Sequence, residues 1–265
     1  MVSDIHHGRD TKTKRGSAAL AHLRRFVEDA ATGGAHAVVE LGDRISDETP
    51  ERDVRLQEEV GREFAGLRIP HHHLNGNHDL AALEPKTIEA ALGVSTSSKA
   101  IDCGEVRLVL WNADVRLPRE RGLQLAPGDL DELRMLLGAD NRRTFVFSHV
   151  PLSGHSQLGN YYFEGCPDRS TYLADLPAIR ETLRDAPCPV VCFAGHVHWN
   201  SLTVVDGIAH LTLQSLTETC TTGEPAGCTG LIELDGNRLR WLVGGIDRFS
   251  VELEWPKQKR RWLRR

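Results

Sequence analysis

Five short groups of residues in the sequence carry side chains that could bind metal ions. In chain order they are Asp4-Ile5-His6, Gly42-Asp43, Gly76-Asn77-His78-Asp79, His149 and Gly195-His196-Val197-His198. Carboxylate and amide oxygens and neutral imidazoles suit divalent metals such as manganese and zinc. Buried amides and imidazoles are costly without partners, and the nearest partners of suitable chemistry are the other groups of this set. We therefore interpret the five groups as parts of one metal site.

Apolar runs precede three of these groups, at residues 38–41, 145–148 and 190–193. Such runs are typical of buried strands, and ligands in open α/β sheets gather outside the carboxyl ends of the strands. A glycine stands just before a ligand at positions 42, 76 and 195, where the backbone must turn sharply and pass close to the metals. A two-metal hydrolytic site also needs a carboxylate that bridges two cations about 3.5–4 Å apart. The sequence contains this set of ligand types.

The first eighty residues predict the order β-α-β-α-β. Strands are expected at 1–3, 37–41 and 71–74, with one helix capped by Ser17 and a second that begins at Pro50. A ligand-type residue follows each strand, and such an order predicts parallel pairing through right-handed crossovers. The strand at 1–3 is shorter than the five or six residues usual for a strand, so the stated start of the chain could be truncated.

The rest of the chain predicts further helices and a set of antiparallel strands. Helices are expected at 84–92, from 129 onward and at 173–183, and strands at 106–111, 144–148 and 189–193. A long polar and aromatic loop spans 153–168. From residue 202 the pattern changes to short strands separated by hairpin signals at Asp206-Gly207 and Asp235-Gly236-Asn237. Two sheets that face each other are the expected outcome.

Composition limits the classes of protein that fit. The 265 residues, of which 40% are hydrophobic, are interpreted as a single domain over 1–265 that ends in a basic tail at 255–265. No apolar stretch reaches the roughly 18 residues of a membrane span, and no secretory signal is evident, so we expect a cytoplasmic protein without membrane contact. The net charge of −5 makes nucleic acid an unfavourable partner. The sequence leaves open whether the protein forms a homo-oligomer.

Six cysteines offer the alternative of disulfides, but a chain with a large core does not need them. We interpret most as reduced, while Cys220 and Cys228 could close a loop. The tract His71-His72-His73 alternates between two faces of a strand and is interpreted as structural, as is His210.

The complete series of ligand groups, from Asp4 to His198, resembles the calcineurin-like metallophosphoesterase family. The resemblance implies an α/β fold, a four-layer α/β/β/α sandwich of two mixed β-sheets flanked by helices. It also implies two divalent metal ions, whose identity among manganese, iron, zinc, cobalt and magnesium stays open. Its ligand assignment places Asp4, His6, Asp43 and His198 on one ion, and Asp43, Asn77, His149 and His196 on the other, with Asp43 as the bridge.

The same resemblance implies catalytic roles for His78 and Asp79. His78 would contact a phosphate oxygen or protonate the leaving alkoxide, and Asp79 would be a candidate orienting partner. Candidate substrate contacts outside the metal ligands are Arg9 and, in the loop after His149, the residues His155, Asn160, Tyr161 and Tyr162. The alternatives are a solvated arginine and side chains used for packing.

The resulting functional prediction is a dinuclear-metal-dependent hydrolase of phosphoester bonds. We expect a small-molecule phosphodiesterase, with cyclic nucleotides or cyclic phosphates among its candidate substrates, or a phosphomonoesterase. A non-catalytic protein-binding scaffold of the same fold and a nuclease are the alternatives. The complete ligand set argues against the scaffold, and the negative net charge argues against the nuclease.

Overall fold

The computed structural model of the chain describes residues 1–118, 120–255 and 257. Its α-helices are α1 (Ala19–Thr32), α2 (Pro50–Phe64), α3 (Pro85–Leu92), α4 (Asp129–Leu137) and α5 (Leu176–Asp185). Among the described residues, no helix combines the length and the apolar character needed to cross a membrane. Of the predicted basic tail at 255–265, only Trp255 and Lys257 belong to the described residues.

Within the described residues, the strands form three sheets. They are β1 (Val38–Glu40), β2 (His71–His73), β3 (Lys99–Cys103), β4 (Val106–Leu110), β5 (Arg143–Ser148), β6 (Val190–Ala194), β7 (Ser201–Val205), β8 (Ile208–Thr212), β9 (Thr229–Asp235), β10 (Arg238–Gly244) and β11 (Phe249–Glu254). β1 and β2 pair in parallel, and β9, β10 and β11 form an antiparallel sheet. The largest sheet has the order β3-β4-β5-β6-β8-β7, with parallel central strands and an antiparallel strand at each edge. The predicted mixed α/β class is confirmed, while the order of the four layers stays a prediction.

Two local expectations differ from the structure. The predicted strand at 1–3 is reduced to one parallel bridge between Val2 and Glu40, because the chain turns into the left-handed region at Asp4, with a φ of 49°. Ser17 does not cap α1. Its amide and its hydroxyl both donate to Asp10, at 3.0 and 2.8 Å, and a 3-10 turn over Gly16–Ala18 precedes the helix. β3 was not predicted at all.

The central strands of the six-stranded sheet are buried on both faces. On one face Val146 packs with residues of α3, α4 and α5, such as Ile179. The other face packs against β1, Leu74 after β2, and β10, where Trp241 is fully buried. Val38 and Val39 point to opposite sides of β1, so Val39 joins this inner core and Val38 packs with α1 and α2. This packing holds the ends of the strands in place at one edge of the molecule.

All six cysteines are free thiols in the structure. The described residues therefore contain no disulfide between Cys220 and Cys228. Cys188 and Cys192 are buried side chains of the core beneath α4 and α5.

Candidate metal centre

The ligand-type residues after the strands come together in three overlapping groups. In each group, one ligand atom from every residue lies within 4.8 Å of the others. The groups are Asp4 with His6 and His198, His6 with Asp43 and His78, and Asp43 with His149 and His196. Asp43 belongs to two groups, so its carboxylate could serve two cations at once.

Distances between acceptor atoms show how tightly the predicted ligands converge. Oδ2 of Asp43 lies 3.6 Å from Nε2 of His149 and 3.7 Å from Nε2 of His6. Oδ1 of Asp4 lies 3.3 Å from Nε2 of His198. The amide oxygen of Asn77 lies 3.3 Å from Nε2 of His149. The structure thus places every predicted ligand at one site, in an arrangement that fits a pair of divalent ions.

The backbone at the site is unusual. Positive φ values are uncommon for residues other than glycine and are concentrated at functional sites. Five of the predicted ligands have φ values between 48° and 68°: Asp4, His6, Asp43, His196 and His198. The chain turns sharply at these residues, and the turns aim the side chains at the common centre.

Two glycines are required by the close packing of these turns. Gly42 has a φ of +98°, and a Cβ there would lie 2.8 Å from Nδ1 of His149. A Cβ at Gly76 would overlap both the backbone nitrogen and the carboxylate of Asp43. The loops after β1 and β2 can therefore approach each other only with glycine at these positions.

Three of the predicted ligand imidazoles are oriented through the ring nitrogen that faces away from the centre. Nδ1 of His149 lies 2.8 Å from the carbonyl oxygen of Leu41, and Nε2 of His196 lies 2.8 Å from that of Arg169. Nδ1 of His198 lies 2.8 Å from Oε2 of Glu218. Such contacts select the tautomer and leave the opposite nitrogen free for a metal.

The electrostatics of the buried site differ from one imidazole to the next. Burial alone would lower the pKa of His149, but the Asp43 carboxylate outweighs burial and raises that pKa to about 9. Burial lowers the pKa of His196 to about 4, and the neighbouring His149 acts in the same direction. The pKa of Asp43 is held well below its usual value, because the surrounding imidazoles outweigh the cost of burying its charge.

Glu218 is a buried carboxylate that the sequence analysis did not identify. Burial would raise its pKa, but the hydrogen bond and the charge of His198 lower it to about 2. The Asp4 carboxylate and Glu218 together raise the pKa of His198 against the opposing effect of burial. Glu218 also accepts a hydrogen bond from the amide of Thr219 at 2.8 Å, so its position is well defined.

We expect Glu218→Gln to weaken metal binding while the fold is kept. The amide removes the charge that favours the correct His198 tautomer, and losses of this kind raise the metal dissociation constant about 10- to 100-fold. The measurement is titration of the metal-free protein with Mn²⁺ by calorimetry. Glu59→Gln is the matched control, because Glu59 pairs with His7 at 2.6 Å, next to the site but outside the predicted ligands. Equal affinities in both variants would contradict the role of Glu218.

His78 lies at the open side of the centre and is paired with a carboxylate. Nδ1 of His78 makes a short hydrogen bond with Asp47, and the two side chains are 30% and 42% exposed. The amide of His78 donates to Oδ1 of Asp43 at 2.8 Å. This arrangement leaves Nε2 of His78 facing the site, where it could contact a substrate.

Asp79 has a different place from the predicted one. Its carboxylate is fully buried and accepts from the amides of Asp43, Arg44 and Gly76 at 2.9, 3.1 and 2.8 Å, and from Gln57 at 2.7 Å. The prediction of Asp79 as the orienting partner of His78 is therefore corrected, because Asp47 occupies that position. Asp79 instead ties the loop after β1 to the loop after β2.

The predicted substrate contacts are placed unevenly. Arg9 is exposed, and its amide donates to Glu48 at 3.2 Å. The ring nitrogens of His155 face Ser153 and Gln157 within its own loop, at 2.8 and 3.0 Å. Neither contact involves the predicted ligands. Arg9 and His155 therefore make local contacts, which agrees with the alternatives of a solvated arginine and of a loop side chain used for packing.

The polar and aromatic loop at 153–168 contacts the metal centre through Tyr162. The side chain of Asn160 is buried, and its Nδ2 donates to the carbonyl of Val197 at 2.8 Å, so it supports the loop of His196 and His198. Tyr161 is 61% exposed. Its neighbour Tyr162 packs edge-on against His198, with ring centroids 5.2 Å apart.

Four further residues at the site were missed by the sequence analysis. Asp47 stands four residues after Asp43, and this spacing could have marked it. Arg44 is fully buried and donates to Glu40 at 2.6 Å. Lys14 and Glu218 carry no local signal, because the fold brings them to the site from loops outside the ligand groups. Burial lowers the pKa of Lys14, although several nearby carboxylates act in the opposite direction.

Comparison with known proteins agrees with the fold. A model of the calcineurin-like phosphoesterase family matches residues 1–200. The chain belongs to this family, and it is a metal-dependent phosphoesterase. No curated protein sequence matches the chain.

Solved structures share the fold at low sequence identity. A dimetal phosphatase from Danio rerio is 17% identical, with a TM-score of 0.77 over 96% of this chain and 97% of that chain. A purple acid phosphatase from yellow lupin (Lupinus luteus) seeds is 12% identical, with a TM-score of 0.64 over 96% and 53%. GAP50, the anchor in the inner membrane complex of Plasmodium, is 12% identical, with a TM-score of 0.61 over 97% and 88%. At these identities the likeness establishes the fold alone.

Proposed function

We propose that the chain hydrolyses small phosphomonoesters or phosphodiesters with two divalent ions held at this centre. The observation that carries the proposal is the position of Asp43. One carboxylate oxygen, Oδ2, lies within 3.7 Å of the Nε2 atoms of both His6 and His149. A carboxylate between two sets of ligands is what a pair of ions about 3.5–4 Å apart requires.

The residues divide into two ligand sets around that carboxylate. Asp4, His6 and His198 would join Asp43 on one ion, and Asn77, His149 and His196 would join it on the other. When bound, the ions supply Lewis-acid polarisation of the phosphoryl group and lower the pKa of water. The choice among manganese, iron, zinc, cobalt and magnesium stays a prediction, as does the cytoplasmic location.

The chain itself supplies the group that would act on the leaving oxygen. Nε2 of His78 faces the site while Asp47 holds Nδ1. A protonated imidazole in this pair would donate its Nε2 proton to the leaving alkoxide, and Asp47 would stabilise the charged ring. The amide of His78 donates to Asp43, which fixes the ring relative to the metal ligands.

A small substrate fits the charge of the chain better than nucleic acid does. The net charge is −5, so long-range attraction for a polyanion is weak. The site opens to solvent beside His78 and Asp47, whose side chains are partly exposed. Substrate selection would therefore depend on a few contacts near the scissile phosphate.

We expect the purified chain to hydrolyse p-nitrophenyl phosphate, bis(p-nitrophenyl) phosphate or both after loading with Mn²⁺. Chelation should abolish turnover, and added metal should restore it, because the ions neutralise the charge that develops on the phosphoryl oxygens. The measurement is p-nitrophenolate release, with metal content determined on the same samples. A panel of 2′,3′- and 3′,5′-cyclic nucleotides and sugar phosphates then tests natural substrate classes. Two bound ions without turnover of any ester would reject the proposal and favour a binding scaffold.

A further inference from the structure

Lys14 is a buried cation beside the catalytic imidazole. The residue is only 5% exposed, and its Nζ lies 3.4 Å from Nε2 of His78 and 3.4 Å from Nδ1 of His6. Buried ammonium groups are usually paired with an anion. Within the described part of the chain, no carboxylate lies within ion-pair distance of this Nζ. Lys257, by contrast, is an exposed lysine that does form an ion pair, with Glu105.

The backbone around Lys14 holds the side chain in this place. Thr11 and Lys14 exchange two backbone hydrogen bonds, of 3.0 and 2.9 Å, that close a tight turn. Lys14 also forms an antiparallel bridge to Glu218. Its Nζ lies 6.0 Å from the ring centroid of Tyr162, whose hydroxyl contacts Thr13. The ammonium is therefore positioned by the fold and is not a free surface charge.

We infer that Lys14 binds a charged oxygen of the scissile phosphate and makes the site selective for dianionic phosphomonoesters. This inference rests on the proposed function. Nε2 of His78 would meet the leaving oxygen. Nζ of Lys14, 3.4 Å from that Nε2, can reach a second oxygen on the same phosphorus. In a monoester that oxygen carries charge. In a diester the position would instead face the second, uncharged ester group.

The test compares Lys14→Met with Lys14→Arg in the metal-loaded full chain. Removal of one charged hydrogen bond should lower kcat/KM for p-nitrophenyl phosphate about 10- to 100-fold. The value for bis(p-nitrophenyl) phosphate should change less than about threefold, since a diester gains little from this contact. Lys14→Arg should keep most of the activity on the monoester, and metal content should be equal in all variants.

Lys12→Met is the matched control. Lys12 lies two residues away, and its Nζ is 5.5 Å from the Tyr162 ring centroid. The same charge is removed from outside the proposed contact, so both esters should stay within about twofold of the parent, because exposed charges are screened. An equal loss on both esters in Lys14→Met, or loss of metal, would overturn the inference.

Binding of inorganic phosphate separates this inference from the proposed function. Calorimetric titration of the metal-loaded chain requires no turnover. We expect Lys14→Met to raise the phosphate dissociation constant about tenfold or more, and Lys12→Met to leave it unchanged. Unchanged phosphate affinity in Lys14→Met overturns the role of Lys14 whether or not the parent hydrolyses an ester. If the parent hydrolyses no ester but Lys14→Met still binds phosphate more weakly than the parent, the contact is supported and the proposed function fails.

Discussion

Asp43→Asn is expected to remove most of the bound metal and to lower phosphoesterase activity by at least about 10³-fold. The substitution replaces a carboxylate oxygen with an amide nitrogen that cannot bind a cation. Oδ2 of Asp43 faces both His6 and His149, so loss of this ligand should affect both ions together. Metal content per chain, determined by elemental analysis after reloading and desalting, is the direct measurement.

Asp53→Asn is the matched control for this substitution. Asp53 is also a buried carboxylate, and it accepts a hydrogen bond from the amide of Glu48 at 2.8 Å, away from the ligand groups. The control should retain two ions and most of the activity. Thermal unfolding of both variants shows whether the fold survives. Two tightly bound ions in folded Asp43→Asn would contradict the shared carboxylate.

The convergence of the ligand groups could be predicted because the evidence was local. Asp43, His149 and His196 each follow an apolar run, and such runs became the strands β1, β5 and β6. The ends of parallel strands meet at one edge of a sheet, so the sequence order of strands and ligands indicated a common site. The left-handed backbone of Asp4 and His6 could not be predicted in this way, because tertiary hydrogen bonds stabilise it.

The partners of the ligands were predicted less well, because they come from distant parts of the chain. Glu218 reaches His198 from a loop after β8, and no periodicity or spacing marks it. Asp79 was adjacent to His78 in sequence, yet successive side chains point in different directions. It turned into the interior, where Arg44 is fully buried, and bonded there to backbone amides. Sequence proximity was therefore a poor guide to hydrogen-bond partners within this loop.

His78→Ala is expected to keep both ions and to lower the rate in a way that depends on the leaving group. A general acid matters most when the leaving oxygen is strongly basic. The loss should be about 10²- to 10³-fold for an alkyl phosphate such as glycerol phosphate. It should be less than about tenfold for p-nitrophenyl phosphate, whose leaving group departs without protonation. The measurement is kcat for both esters, with metal content determined in parallel.

Asp47→Asn provides the companion variant, because Asp47 contacts Nδ1 of His78 and touches none of the predicted ligands. It should show the same dependence on the leaving group with a smaller loss, since the imidazole remains but its protonated form is less stabilised. A loss of equal size for both esters in His78→Ala would mean that the imidazole binds a phosphoryl oxygen and does not protonate the leaving group. Loss of metal in that variant would instead make His78 a ligand, as its place beside His6 and Asp43 allows.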